Sequence, residues 1–279
     1  MIAFPNCKIN LGLSVLRKRE DGYHDLETVF FPVGLRDIVE IVPADPGRTT
    51  PVLAFSHSGL ALPDAPGANL CEQAYQLMKT DFPFLPPVRI HLHKAIPLGA
   101  GLGGGSADAA AVLKLLNAVH SLGLSAEKLA AYALKLGSDC PFFLLNKPAL
   151  ARGRGERLQE IPLKLDDYRI LLVNPGIHIP TARAFSLVRP AQPAYPLEVL
   201  IRQPVDQWRD QVRNDFEEPV FDLYPEVGAI RNTLYAMGAS FAALSGSGST
   251  VFGLFRRQQV LHPAFPAHYF VRELVGQLQ

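Results

Sequence analysis

The chain has 279 residues, enough for one large domain or two of medium size. Hydrophobic residues make up 48% of it, which argues against intrinsic disorder, and 27 basic residues nearly balance 26 acidic ones, so no nucleic-acid partner is indicated. Three widely separated cysteines suit a reducing compartment, and no signal peptide or apolar run of about 18 residues is evident, so we expect a cytoplasmic protein without a membrane partner.

The first predicted element is a strand in which apolar residues from Ile9 to Val15 alternate with polar or small ones. This period of two predicts one buried face. The other face begins with Lys8 and Asn10, and the pattern leaves open whether it is solvated or functional. Further strands are predicted over 26–33, 37–42, 51–56 and 88–94, with a helix over 69–78.

A glycine-dense loop, Pro97 to Ala111, follows the strand at 88–94 and runs into a predicted helix over 106–119. Glycine allows backbone turns that a side chain would block, and it lets bare N–H groups approach a bound anion. The positive end of the following helix adds to that attraction. The loop therefore predicts a phosphate-binding site.

Two familiar phosphate-binding patterns do not fit this loop. Gly99, Gly101 and Gly104 satisfy the spacing of the dinucleotide fingerprint, but Glu127 lies at a helix start instead of the required strand end. The Walker A pattern requires a lysine directly before Ser106, where this chain has Gly105. A flexible linker is also disfavoured, because the loop leads straight into an apolar helix.

The second half of the chain continues to mix helices and strands. Ser125 predicts the N-cap of a helix that ends at Gly137, and Asp139 follows in a loop. Irregular structure is predicted over 186–206, a helix over 229–237, and strands over 142–145, 168–173, 239–244 and 251–255. The absence of regular strand–helix alternation predicts an α+β fold. A break in the apolar pattern near Gly153 predicts a division into residues 1–152 and 153–279.

Three segments, 6–11, 97–111 and 244–250, together resemble the signature regions of the GHMP kinase superfamily. Segments 21–24, 137–143, 153–156 and 214–217 resemble the branch that acts on a cytidyl diphosphate substrate. The resemblance extends from residue 6 to about residue 255. It implies a two-lobed α+β fold with an ATP-binding lobe similar to a domain of ribosomal protein S5, a C-terminal GHMP lobe, and an active site in the cleft between them.

The resemblance also implies the chemistry, which is transfer of the γ-phosphoryl group of ATP to an alcohol with Mg²⁺. Lys8 and Asp139 match the catalytic positions: a carboxylate accepts the hydroxyl proton, and a lysine beside it keeps that carboxylate ionised and neutralises the transferring phosphoryl group. On sequence alone, a helix-end or loop cap is the favoured interpretation of Asp139. No second carboxylate is identified, so the metal ligands are left unknown.

The same resemblance implies two sets of binding residues. Tyr23 and Phe185 would stack on the two faces of cytosine, with His24 at its edge, although Phe185 alone also fits a core position. Ser106 could contact a phosphate or Mg²⁺, or be a plain N-cap, and Lys94 alone would be an ordinary exposed strand residue. The ATP set is Asn69, Leu70, Lys94, Pro97, Gly99, Gly101, Gly103, Gly104, Gly105 and Ser106. The substrate set is Asn10, Tyr23, His24, Asp139, Thr181, Phe185, Ser245 and Gly246.

Three other functions compete with this interpretation. A GHMP kinase for mevalonate, homoserine or a sugar would have no base to stack. A non-catalytic nucleotide-binding regulator would not need both Lys8 and Asp139. A nucleic-acid-binding module conflicts with the balanced charge. His91 and His93 form a tempting metal pair, but the sequence offers no third ligand, so we expect no metal there. The oligomeric state is not indicated.

Overall fold

The structure is a computed structural model that describes residues 1–44, 52–63 and 69–275. Position 51, where one predicted strand begins, lies outside the described residues. The strands are β1 (Ile2–Ala3), β2 (Asn6–Lys18), β3 (His24–Arg36), β4 (Ile38–Pro43), β5 (Leu53–Gly59), β6 (Val88–Lys94), β7 (Ala149–Gly153), β8 (Arg157–Glu160), β9 (Tyr168–Asn174), β10 (Phe241–Leu244), β11 (Val251–Arg256) and β12 (Phe270–Val275).

The helices alternate with these strands irregularly, as an α+β fold requires. They are α1 (Leu70–Asp81), α2 (Gly104–Val119), α3 (Ala126–Leu136), α4 (Cys140–Leu145), α5 (Thr181–Leu187), α6 (Leu197–Leu200), α7 (Glu217–Leu223) and α8 (Pro225–Ala236), with a 3-10 helix at Val205–Asp210. The chain divides into two compact units, each made of several segments. The division into residues 1–152 and 153–279 stays a prediction.

Unit 1 comprises residues 1–7, 35–98 and 103–146. Its sheet has the order β1-β4-β6-β5, with β5 parallel to β6 and the other pairs antiparallel. Alternate residues of β4 and β6 pack against α1 and α2, which gives a core that includes Ile41, Ile90 and Leu113. Burial of this apolar surface holds the strand that enters the glycine loop against the helix that leaves it.

Unit 2 comprises residues 8–34, 99–102 and 147–279. It holds two sheets, with the orders β2-β3-β7-β8 and β10-β11-β9-β12. Its core packs α8 and neighbouring helices on the second sheet and includes Leu171, Ile230 and Phe255. The sole tryptophan, Trp208, is buried in this unit against Phe241.

Most predicted elements are present. The region 186–206, predicted as irregular, contains helix α6 and the start of the 3-10 helix, and two further predictions are wrong. Residues 142–145, predicted as a buried strand, belong to helix α4, because Pro141 sits in the first turn of that helix, where its missing N–H costs nothing. A short apolar run does not distinguish a strand from a buried helix. Strand β2 is buried on both faces, so the solvated face considered for Lys8 and Asn10 is wrong.

Candidate nucleotide and substrate site

The entry to the glycine loop is fixed by a buried carboxylate that the sequence analysis missed. Asp37, just before β4, accepts hydrogen bonds from the backbone N–H groups of Ala95 (2.6 Å) and Ile96 (2.9 Å), directly after β6. Asp37 is fully buried, so both bonds form away from water. The loop therefore leaves the sheet in a defined direction. The only sequence clue was an aspartate at the start of an apolar strand.

Lys94 is buried between two carboxylates, so its interpretation as an exposed strand residue is wrong. Its ammonium donates to Asp37 and to Asp108 (2.7 Å). Burial works to lower the pKa of Lys94, but the two carboxylates outweigh it and raise that pKa. Burial of the Asp108 carboxyl raises its pKa to about 7 despite the nearby ammonium. The ammonium also lies beneath Gly104, where an added Cβ would come within 2.9 Å of Nζ.

Helix α2 begins without a side-chain cap. Its N-cap is Gly103 in the left-handed conformation (φ 70°), and no side chain bonds to the first-turn N–H groups. Ser106 is the third residue of the helix, so the N-cap interpretation of Ser106 is wrong. Its hydroxyl instead lies near the Cys140 thiol and lowers the pKa of that thiol. The start of the helix thus presents backbone N–H groups with no side chain of its own over them.

Asp139 occupies the N-cap position of α4 but does not cap it. Its side chain makes no hydrogen bond to the first turn of that helix, so the capping interpretation is wrong. The thiol of Cys140 has its pKa raised to about 11, mainly by burial, with the Ser106 hydroxyl lowering it and the Asp139 charge raising it. Asp139 and Ser106 therefore both lie near the same thiol, in unit 1.

Helix α1 begins close to the start of α2. The Asn69 side chain caps α1 by accepting a hydrogen bond from the Cys71 N–H (2.8 Å), which stabilises that helix end. A Cβ at Gly105 would be 3.5 Å from the Leu70 side chain. Two residues predicted to lie near adenine thus border the first turn of α2 within unit 1.

In unit 2, three signature segments are joined by hydrogen bonds. Lys8 Nζ donates to Asn10 Oδ1 (2.7 Å) and to the Gly101 carbonyl (3.1 Å). Ser245 Oγ donates to that same carbonyl (2.9 Å) and accepts from the Asn10 N–H (3.3 Å). The Lys8 ammonium also lies 5.0 Å from the centre of the Phe30 ring. We call Lys8, Asn10, Gly101 and Ser245 the loop junction.

The loop junction leaves no room for a side chain at Gly101. A Cβ there would lie 1.9 Å from the Ser245 carbonyl oxygen, and the backbone is left-handed (φ +77°). Gly246 also has positive φ, and its Cβ would come 3.4 Å from Asn10 Oδ1. Close contact between two backbones explains the glycine at position 101 independently of any ligand.

The loop after β10 is also fixed by hydrogen bonds from segment 214–217, which the sequence analysis noted but did not assign to the site. Asn214 is buried and donates from Nδ2 to the carbonyls of Leu244 and Gly246, each at 2.8 Å. Glu217 accepts the Leu244 N–H (2.8 Å). Asn214 and Glu217 therefore fix the position of Ser245.

The residues predicted to bind cytosine lie together in unit 2. His24 and Phe185 stack on each other, with ring centres 4.9 Å apart and planes 16° apart. Phe185 also meets the Phe216 ring edge-on, so it both contacts the core and presents an aromatic surface. Burial lowers the pKa of His24. Tyr23 is 54% exposed, and Thr181, the first residue of α5, is also exposed.

The remaining predicted positions are divided between the units. Gly99 is exposed, and its Cβ would lie 2.9 Å from His178 Nδ1, in unit 2. Pro97 is half-buried, in unit 1. His91 lies beside Ser56 and Ser58, and both of its ring nitrogens are 2.9 Å from their hydroxyl oxygens.

Two classes of feature are missing from the described parts of the chain. Across residues 1–44, 52–63 and 69–275, His, Cys, Asp and Glu side chains do not form a group of three or more that could hold a metal ion. Over the same ranges, no helix combines the length and the apolar character needed to cross a bilayer.

Comparison with known proteins fits this geometry. The sequence profile for the GHMP kinases N terminal domain matches residues 69–147, and the profile for the GHMP kinases C terminal domain matches residues 197–267. The chain is 49% identical over 259 residues to the 4-diphosphocytidyl-2-C-methyl-D-erythritol kinase of Bacteroides fragilis, covering 93% of each chain. It is 48% identical to the enzyme of that name in Parabacteroides distasonis, covering 92% of each.

A solved structure agrees with the sequence relatives. A crystal structure of 4-(cytidine 5'-diphospho)-2C-methyl-D-erythritol kinase matches with a TM-score of 0.78 and 36% identity, over 99% of this chain and 100% of that one. A mevalonate kinase matches with a TM-score of 0.69 at 13% identity, which shows a shared fold alone. The fold is that of a GHMP kinase. Within that superfamily, the chain belongs to the 4-diphosphocytidyl-2-C-methyl-D-erythritol kinase family.

Proposed function

We propose that this protein transfers the γ-phosphoryl group of ATP to the 2-hydroxyl of 4-diphosphocytidyl-2-C-methyl-D-erythritol, a step of the non-mevalonate route to isoprenoid precursors. The observation that carries the proposal is the loop junction, where Lys8 and Ser245 both bond to Gly101 of the glycine loop and Asn10 bonds to Lys8 and Ser245. The names of relatives at 48–49% identity supply the substrate.

Phosphoryl transfer depends on positioning and on neutralising charge. Lys8 is 3% exposed and held at Asn10 and Gly101, so its ammonium has little freedom and is suited to stabilising charge on a phosphoryl group. Asp139 is half-buried and does not cap its helix, so its carboxylate is suited to accepting the proton of the substrate hydroxyl.

The glycine loop supplies the nucleotide contacts in this proposal. Gly103, Gly104 and Gly105 place uncapped N–H groups where phosphates would bind, while Lys94 and Asn69 support the two helix starts beside them. Because Lys94 is buried and already bonds to two carboxylates, we propose that it serves the adenine site by positioning the loop. Pro97 and Gly99 frame the same loop.

Mg²⁺ fits the donors near α4, although no complete metal cage is present there. Asp139 and Ser106 offer a carboxylate and a hydroxyl oxygen, the hard ligands that Mg²⁺ takes together with substrate phosphates and water. Held by these residues, Mg²⁺ would supply positive charge that offsets the negative charge of the phosphates. We therefore propose that Ser106 contacts Mg²⁺, which is possible because Ser106 lies inside the helix and does not cap it.

For the base, we propose that Tyr23 and Phe185 provide stacking surfaces and that His24 reads the edge of cytosine. Thr181, in the same helix as Phe185, and Gly246, beside Asn10, would contact the rest of the substrate. The stacked His24–Phe185 pair favours a ligand with a base over a small polyol such as mevalonate.

A coupled ADP-release assay with a panel of acceptors tests the proposal. We expect turnover with the cytidyl substrate and none with mevalonate, homoserine or a hexose. Asp139→Asn should lower turnover by roughly 10²- to 10⁴-fold, the usual scale for loss of an acid–base group. Asp81→Asn, which alters a surface aspartate bonded to Tyr132, is the matched control and should stay near wild type. Equal rates with mevalonate, or full turnover of Asp139→Asn, would contradict the proposal.

A further inference from the structure

Arg154 is placed beside the proposed base-binding residues. Its guanidinium carbon lies 4.6 Å from the centre of the Tyr23 ring, which is a cation–π contact. Tyr23 itself projects from a tight turn in which its N–H bonds to Asp21 and its carbonyl accepts the Arg19 N–H. Both residues belong to unit 2.

The backbone explains why Arg154 reaches this position. Gly153 ends β7 and pairs with Leu26 of β3, three residues after Tyr23. Gly153 and Gly155 both have positive φ, and the Glu156 carboxylate accepts the Arg154 N–H (2.6 Å), so the turn is tightly defined. The arginine is therefore fixed at its base, and only its side chain can move.

Three arginines of the adjoining strands and turn are paired with carboxylates, whereas Arg154 is not. Arg17 and Arg19 bond to Asp25, Arg19 also bonds to Asp21, and Arg152 bonds to Glu27. Among the residues that the structure describes, the Arg154 guanidinium has no carboxylate at ion-pair distance. The Arg154 charge acts on a neighbouring carboxylate. The pKa of Asp21 is lowered mainly by the Arg19 hydrogen bond and to a smaller degree by Arg154.

The proposed substrate carries a diphosphate together with its base, so the Arg154 cation beside the proposed base-binding residues has a suitable ligand in those phosphates. A guanidinium presents a planar fork of donors that matches phosphate oxygens and binds them in pairs. We infer that Arg154, held over Tyr23, binds the diphosphate of the cytidyl substrate and is thereby a further substrate-binding residue. The inference rests on the proposed function, because it takes its ligand from that substrate.

Titration calorimetry of CDP and of cytidine into the full chain tests the inference. Arg154→Ala should weaken CDP binding by roughly 10- to 100-fold, the scale of hydrogen bonds to a charged group, and should change cytidine binding by less than about threefold. Arg154→Lys should recover part of the CDP affinity, because it keeps the charge but loses the fork. The CDP difference should shrink as salt is raised.

Arg209→Ala is the matched control, because Arg209 lies over Tyr235 in the same way, at 4.3 Å, within the same unit. It should leave both affinities unchanged. Equal weakening of cytidine and CDP by Arg154→Ala would show that Arg154 only supports the Tyr23 ring. Tighter binding would show that the base displaces it. Either result would overturn the inference and leave the proposed function standing, whereas failure of the wild type to bind CDP would remove both.

Discussion

Substitution of Gly101 by alanine tests whether the loop junction is as tightly packed as described. The added Cβ would lie 1.9 Å from the Ser245 carbonyl oxygen, so one backbone must move by about 1.5 Å to restore ordinary contact. Left-handed backbone costs a non-glycine residue about 1–2 kcal/mol, and the collision adds about 1–3 kcal/mol. Displacing the Gly101 carbonyl also weakens its bonds from Lys8 and Ser245, at about 1 kcal/mol each.

We therefore expect Gly101→Ala to lower the free energy of unfolding by about 4–7 kcal/mol. Urea titration followed by Trp208 fluorescence measures this, since the sole tryptophan is buried in the same unit. Gly176→Ala separates strain from collision, because Gly176 has a similar φ (+79°) but no atom within 4 Å of its Cβ position. That control should cost about 1–2 kcal/mol. If the two variants unfold within about 0.5 kcal/mol of each other, the collision argument is refuted.

Two further predictions concern Asp108 and Phe185. In the folded protein the pKa of Asp108 is raised to about 7 from its ordinary 3.8. Between about pH 4 and pH 7 the folded protein therefore holds a proton that the unfolded chain has released. As a result, the contribution of Asp108 to the free energy of unfolding falls as pH rises through this range. Asp108→Asn should remove that decline, which amounts to ~1.4 kcal/mol per unit of pKa difference. Urea unfolding at pH 5 and pH 8 measures the decline, and an unchanged pH dependence in the variant would contradict the prediction. Phe185→Ala should weaken cytidine binding by roughly 5- to 150-fold, from about 1–3 kcal/mol of stacking per base. Phe265→Ala, which removes a ring stacked on Tyr269 in the same unit, is the control, and equal affinities in both variants would exclude base stacking on Phe185.

Local sequence patterns were enough to predict most of the elements. The strand at 88–94 has the predicted bounds, and Asn69, Ser125 and Gly137 lie at helix ends, because caps and periodicity act over a few residues. The strand prediction for residues 142–145 was wrong because four apolar residues do not define a period. The α+β class followed from the order of the elements, and it is confirmed.

The supporting residues of the site were beyond local patterns. Asp37 bonds to Lys94 and Ile96 across more than 50 positions, and Asn214 bonds to the loop after β10 across about 30. Such contacts are decided by sheet register and packing, which a single sequence does not display. Lys94 was misjudged for the same reason, since its burial depends on Asp108 from a later helix.

The reactivity of the three cysteines can be used to measure how often the structure around them opens. Cys7, Cys71 and Cys140 are buried thiols, and all three belong to unit 1. Burial raises the pKa of Cys71 and Cys140, so little thiolate forms and alkylating reagents react only when the surrounding structure opens. The rate of alkylation of the native protein thus follows the opening of unit 1, while Trp208 emission follows unit 2. A nucleotide that slows alkylation would show that its binding stabilises the helices around the glycine loop.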